Sequence, residues 1–154
     1  MDGLSVRPLR RDDLAALASV LEATELFPSD MLDGMVAPWF AAPSVAVWLV
    51  AEGAGGVCGF AHAVPEALTE GTWNLLALAV RPAAQGRGIG AALVRGALAA
   101  LAAQGSRLVI VDTAGTGDYA GARRLYARLG FAEVARIPEF WAEGVDKVTF
   151  ARRP

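Results

Sequence analysis

Residues Val80 to Gly90 read Val-Arg-Pro-Ala-Ala-Gln-Gly-Arg-Gly-Ile-Gly, and they constrain the fold more than any other stretch of the chain. An apolar strand over 75–80 leads into a turn marked by Pro82, three glycines fall within five residues, and a long alanine-rich helix follows. Glycines crowded at a helix start let main-chain N–H groups approach an anion closely. The unpaired N–H groups of the first turn and the positive end of the helix dipole then hold it. The pattern predicts a strand–loop–helix unit that grips a phosphate-bearing cofactor. An ordinary turn is the bland alternative, and the density of glycine straight after the strand and Pro82 argues against it.

The 154 residues suit one domain over 1–154. The chain is 55% hydrophobic with a mean hydropathy of +0.40, enough for a substantial core and suggestive of an apolar surface patch such as a homodimer face. A net charge of −2 excludes the basic footprint of a nucleic-acid binder. The lone Cys58 rules out an internal disulfide, and with the lone His62 it argues against a zinc site, so no metal is expected. No apolar run reaches membrane-spanning length and the N-terminus has no signal-peptide pattern, so a cytoplasmic protein without a membrane partner is expected.

Periodicity places a strand over 5–9, a helix opening at Arg11-Asp12-Asp13, and a second helix from Pro28 with Ser29 as N-cap and Pro38 ending or kinking it. A hairpin joins strands 45–52 and 57–64 through the Gly53–Gly56 turn. A strand over 72–80 is apolar enough to be buried on both faces. The central helix covers 88–104 with Ile89, Leu93, Val94, Leu98 and Leu101 on its buried stripe. Then come a strand over 107–112 ending in Asp112, a helix over 119–129 stopped by Gly130, and strands over 131–137 and 146–152. One βαβ unit sits among antiparallel strands, so the expected fold is a mixed α/β sheet of the α+β kind.

Two blocks carry a family resemblance. Gln85-Gly86-Arg87-Gly88-Ile89-Gly90 fits a Gln/Arg-x-x-Gly-x-Gly/Ala phosphate loop, and Ala122-Arg123-Arg124-Leu125-Tyr126-Ala127-Arg128-Leu129-Gly130-Phe131, about 35 residues on, fits an Ala-x-x-Leu-Tyr-x-x-x-Gly-Phe helix-to-strand block. With the element order, these resemble the GNAT superfamily of acetyl-CoA-dependent N-acetyltransferases. The tail from Arg136 to Trp141, with Gly144 and Asp146, is similar to a bacterial GNAT subgroup. The resemblance implies an acyl-CoA N-acyltransferase fold: a mostly antiparallel twisted sheet with a parallel central strand pair flanked by helices. It also implies acetyl transfer to a primary amine by direct attack.

From the same resemblance, Gln85, Gly86, Arg87, Gly88, Ile89, Gly90 and Ala91 would hold the coenzyme A diphosphate, and main-chain groups of Leu78, Ala79 and Val80 the pantetheine arm and thioester. Tyr126 would be the general acid, its phenol protonated at neutral pH. Tyr119, Ala122 and Tyr126 share one helical stripe; Tyr119 stands where many members have an Asn that contacts the cofactor, and Ala122 belongs to the same surface. Asn74 occupies the position of a glutamate base found in some members; an amide cannot take a proton there, and its expected role is to orient a water. Glu70, on the same strand parity as Asn74, is the first candidate base, followed by Glu66, Asp112 and Glu139. His62 reads as a packed strand histidine and Cys58 as core. Trp73, Phe140, Trp141 and the 27–40 segment are candidate walls of a pocket for a small-molecule or peptide amine.

Two other readings stand beside this one. Gly86-x-Gly88-x-x-Ala91 with Asp112 about 20 residues on satisfies a relaxed dinucleotide fingerprint, but Arg81–Gln85 separate the loop from its strand and the second half of a doubly wound sheet is missing. The second is a GNAT-fold module that binds acyl-CoA as a sensor or scaffold. Asn74 at the glutamate position favours it, and the retained Tyr126 opposes it.

Overall fold

The computed structural model describes residues 3–154. In chain order the elements are β1 (Ser5–Pro8), α1 (Leu14–Thr24), α2 (Leu32–Ala41), β2 (Val47–Gly53), β3 (Gly56–Pro65), β4 (Thr72–Val80), α3 (Ile89–Ala103), β5 (Leu108–Ala114), α4 (Ala120–Arg128), β6 (Ala132–Ala142) and β7 (Val145–Arg152). They build one seven-stranded sheet in the order β1-β2-β3-β4-β5-β7-β6. Every pairing is antiparallel except β4 with β5, which the α3 crossover makes parallel. No helix among the described residues is long and apolar enough to cross a membrane.

Alternation along the strands splits the core in two. Val47, Leu49 and Ala51 face α3, whose stripe of Ile89, Leu93, Val94, Leu98 and Leu101 is buried as its spacing demands. Trp48 and Val50 point the other way, into a second core with Leu17, Val20 and Leu21 of α1 and Leu32 and Val36 of α2. β6 ends the strand order and is an exposed edge strand carrying Val134, Ile137, Phe140 and Trp141.

The β3–β4 register slips between His62 and Ala63: His62 faces Ala77 while Ala63 faces Leu75, leaving Leu76 unmatched. Trp73 and Leu75 therefore pack toward α3, but Ala77 and Ala79 pack toward α1. Leu76 is 52% exposed on a central strand, so the expectation of burial on both faces fails at the bulge.

Several boundaries differ from the sequence reading. Ser29 is not an N-cap: it lies in a 3-10 turn ahead of α2, and its hydroxyl points to Glu22 at 3.4 Å. Pro38 sits inside α2, which runs on to Ala41. β5 continues past Asp112 to Ala114, and Tyr119 sits in a 3-10 turn before α4 rather than within it. β6 runs to Ala142 because an irregularity after Ile137, with Glu139 at φ +55°, re-enters the pairing at Ala142.

Candidate active site

β4 and β5 face each other only over Thr72–Asn74 and Leu108–Ile110. Past Asn74 and Ile110 they diverge, and the sheet opens into a wedge between the C-terminal halves of two central strands. Hydrogen-bond phase decides which main-chain groups line it. The Arg81 N–H donates to the Cys58 carbonyl at 2.7 Å, and Val80 faces Gly59, so Val80 and Leu78 turn their N–H and C=O groups away from β3 into the wedge. On β5, the Gly115 N–H donates to Asp146 and Ala114 faces Lys147, so Ala114 and Asp112 likewise turn theirs away from β7. Ala79 has the opposite phase. Its backbone is spent on Phe60 of β3, which corrects its grouping with Leu78 and Val80 as a cofactor-facing main-chain position. The outermost carbonyl of each arm is capped by a side chain: Gln85 Nε2 donates to Val80 at 2.9 Å, and Arg123 Nη1 to Ala114 at 2.6 Å.

The wedge leads to the start of α3. Gly86 and Gly88 hold φ values of +76° and +80°, conformations that side chains disfavour, and this turns successive N–H groups outward. The first N–H to bond back into the helix is that of Ala92, to Gly88 at 3.0 Å. Among the described residues the N–H groups of Gly86, Arg87, Gly88, Ile89, Gly90 and Ala91 have no acceptor within the chain. They open onto a cleft of about 830 Å³, walled by Leu78 and Val80 on one side and by Ala122 and Leu125 of α4 on the other. Arg87 is exposed and stands off this cleft, whereas Arg95 and Arg128 line it. Neither was singled out in the sequence. The available signal was spacing, since each lies seven residues after a small residue of the cleft wall, Gly88 and Gly121. A second groove of about 440 Å³, reaching Thr24, Leu26, Ala79 and Tyr119, meets the first at Leu78, Val80 and Gln85.

Tyr126 packs its ring against Phe131 and Phe150 with centroids 5.8 and 5.9 Å away and is 5% exposed. Burial pushes its phenol up to about 12. Ala122 and Leu125, beside it on α4, line the cleft, while Tyr119 is exposed in the second groove, so the expected single stripe is divided between the two.

Asn74 sits on the last β4–β5 pair, at the apex of the wedge. Its Nδ2 points to Glu66 Oε2 at 3.4 Å, and its Oδ1 is sealed from solvent with no hydrogen-bond partner. Glu70 does not share a strand with it. Gly71, at φ +78°, turns the chain before β4 begins, which places Glu70 in the exposed loop, where its carbonyl accepts from Arg107 Nε at 2.9 Å. The strand-parity argument for Glu70 fails for that reason. Asp112 accepts from Thr149 at 2.6 Å and pairs with Lys147 at 3.6 Å, and the Glu139 carboxylate accepts from the Gly144 N–H.

His62 is buried, bonded through Nδ1 to the Val47 carbonyl and stacked on Trp48 at 3.7 Å. Desolvation pushes it down to about 4. Cys58 is half-buried with Sγ directed at the Ala51 carbonyl. Trp73 faces the α3-side core and lines neither groove. Phe140 and Trp141 are about half exposed, with Trp141 Nε1 donating to Thr113 of β5 at 3.2 Å. Phe27 and Phe40 pack against the α1–α2 core.

The overall fold is shared with solved proteins. A GNAT-family protein from Desulfovibrio desulfuricans superposes with a TM-score of 0.88 at 28% identity, over 97% of this chain and 98% of that one. The yncA protein of Salmonella typhimurium, solved with its cofactor acetyl-CoA, superposes at 0.83 with 20% identity, over 99% and 94%. In sequence, a mycothiol acetyltransferase of Kineococcus radiotolerans is 35% identical over 142 residues, 86% of this chain. The chain spans 44% of the length of that relative. The family model described as the acetyltransferase (GNAT) domain matches residues 44–133, which hold β4, the wedge, the glycine loop and α4. With more than half of the chain inside that match, the protein belongs to the GNAT acetyltransferase-domain family.

Proposed function

We propose that this chain, acting as a single domain in the cytoplasm, moves the acetyl group of acetyl-CoA onto a primary amine. The observation that carries the reading is the continuity of two rows of main-chain groups: the Leu78 N–H and C=O and the Val80 N–H along β4, and the free N–H groups of Gly86 to Ala91 at the start of α3. A diphosphate joined to an extended amide-bearing arm has the shape and polarity to satisfy both rows at once. The likeness to the yncA protein, which was solved with acetyl-CoA, supports the same ligand.

In this reading the N–H groups of Gly86 to Ala91 bind the diphosphate, with Arg95 and Arg128 adding positive charge along the cleft. Leu78 and Val80 bond the pantetheine arm, and a β4 N–H polarises the thioester carbonyl, a contribution of about 3–4 kcal/mol for a preorganised donor. Tyr126 remains protonated across the neutral range and donates a hydrogen bond to the departing sulfur. With its phenol pushed up to about 12, it is a weaker acid than a thiol, so charge-assisted hydrogen bonding is its main contribution. The amine reaches the thioester from the side of the sheet that α1 and α2 leave open, where Leu76 and Trp141 offer apolar surface.

Calorimetry with coenzyme A, followed by thiol release from acetyl-CoA over an amine panel, tests this reading. The acceptor of the mycothiol acetyltransferases belongs on that panel. Micromolar binding and turnover on at least one amine are expected, and an absence of coenzyme A binding would overturn the reading. Asn74 at the apex favours a second reading, an acyl-CoA-binding module without catalysis. Tight binding with no thiol release on any amine selects it.

A further inference from the structure

Transfer to an amine that arrives as an ammonium ion requires a proton acceptor, and β4 carries none. Resting on the acetyl-transfer reading above, we infer that Glu66, in the loop between β3 and β4 and held against the apex by Asn74, is the base that removes this proton. The titratable side chains of β3, this loop, β4 and β5 are Cys58, His62, Glu66, Glu70 and Asp112. Four of them are otherwise engaged or directed elsewhere. Cys58 points at the Ala51 carbonyl, His62 is stacked under Trp48 and bonded to Val47, and Asp112 is tied to Thr149 and Lys147. Glu70 lies beyond the turn at Gly71.

Glu66 combines a fixed backbone with an accessible carboxylate. Its N–H donates to the Thr72 carbonyl at 2.8 Å, and its carbonyl accepts from Thr69 Oγ1 at 2.8 Å, so the loop is anchored to the first residue of β4. Its Oε2 lies 3.4 Å from Asn74 Nδ2, on the residue where the strands part. Asn74 Oδ1 is buried without a hydrogen-bond partner, so the amide is held through Nδ2 alone. Asn74 then acts as a positioning residue: its Nδ2 holds the Glu66 carboxylate at the apex, where an incoming ammonium meets that carboxylate directly. The proton balance closes. Glu66 takes one proton from the ammonium and passes it to water, as its exposure allows. The freed nitrogen bonds to the acetyl carbon as the carbon–sulfur bond breaks. The second proton leaves the nitrogen and ends on the thiolate.

Steady-state kinetics on the best amine of the panel, with coenzyme A affinity measured on every variant, tests the inference. Glu66→Gln should lower kcat by about 100-fold or more, make turnover depend on the fraction of neutral amine so that the acid side of the kcat/KM pH profile follows the substrate's own ionisation, and leave the coenzyme A Kd within about twofold of wild type. Glu70→Gln should retain wild-type kinetics. The double variant Glu66→Gln with Asn74→Asp returns a carboxylate to the pair and should recover about tenfold over Glu66→Gln alone. A Glu66→Gln enzyme within threefold of wild type with the same acid limb, or an equal loss in Glu70→Gln, overturns the inference while the acetyl-transfer reading stands. Wild-type protein that neither binds coenzyme A nor turns over any amine overturns that reading, and this inference with it.

Discussion

Arg123 Nη1 lies 2.6 Å from the carbonyl oxygen of Ala114, the last residue of β5 on the open arm of the wedge. The same nitrogen lies 2.8 Å from the Thr116 carbonyl. A guanidinium thus occupies the place where a neighbouring strand would donate, and it terminates the arm without closing it. Arg123→Ala leaves two carbonyls without their donor and should cost about 1–3 kcal/mol of stability. Thermal denaturation measures this, and coenzyme A affinity should fall alongside as the β5–α4 connection loosens. An unchanged melting temperature would remove Arg123 from this role.

The two glycines that flank the start of α3 should respond in opposite directions. Gly88 holds φ +80°, so Gly88→Ala strains the backbone by about 1–2 kcal/mol even though nothing lies within 4 Å of the new Cβ. Gly90 is helical, and its added Cβ would meet Leu125 Cδ2 at 3.4 Å, an ordinary contact. Gly90→Ala should therefore be neutral or stabilising by up to about 1 kcal/mol. Urea unfolding of the pair checks the sign, and equal losses would contradict the left-handed conformation at Gly88.

Tyr126→Phe should preserve the fold, because the ring contacts to Phe131 and Phe150 survive. Under the proposed mechanism kcat should drop by about 100-fold or more, with coenzyme A affinity unchanged. Because the folded-state value is raised from 10.0 to about 12, wild-type stability is fully retained below pH 10 and declines as pH rises from 10 toward 12. Tyr126→Phe should lack that decline. Alkaline denaturation of the two proteins decides this point independently of any activity.

His62 sets the acid side. Its folded-state value lies at about 4 against an ordinary 6.5, so the unfolded chain takes up the proton first as pH falls. Stability from the neutral imidazole is present above pH 6.5 and is lost between 6.5 and 4, to a limit of ~3 kcal/mol. As the chain has one histidine, the difference between wild type and His62→Phe across this window isolates the effect from the carboxylates. Parallel slopes for the two proteins would show that His62 does not drive it.

What was legible in the sequence was local. The α3 stripe from Ile89 to Leu101 follows from a 3.6-residue period, and the glycine loop announces an open helix start through its own composition. The β4 boundaries at Thr72 and Val80 were set by an apolar run between a glycine turn and a proline. The errors arose where one backbone angle or one pairing re-aimed a residue. Gly71 at φ +78° took Glu70 off the strand, the bulge at Leu76 exchanged the facing of residues 77–80, and hydrogen-bond phase turned Ala79 toward β3. No composition rule reports these, because side-chain parity is preserved only while a strand stays regular.

By itself the sequence determined the family blocks, the helix that opens with free amides and the alternation that builds two cores, since each depends on neighbours within a few residues. The tertiary structure alone decided that β4 and β5 part after Asn74 and Ile110, that Arg95 and Arg128 reach the cleft, and that Glu66 rather than Glu70 meets the apex. The physical reason is that divergence, cleft walls and loop placement are set by pairings between segments distant in the chain, whose geometry no single segment encodes.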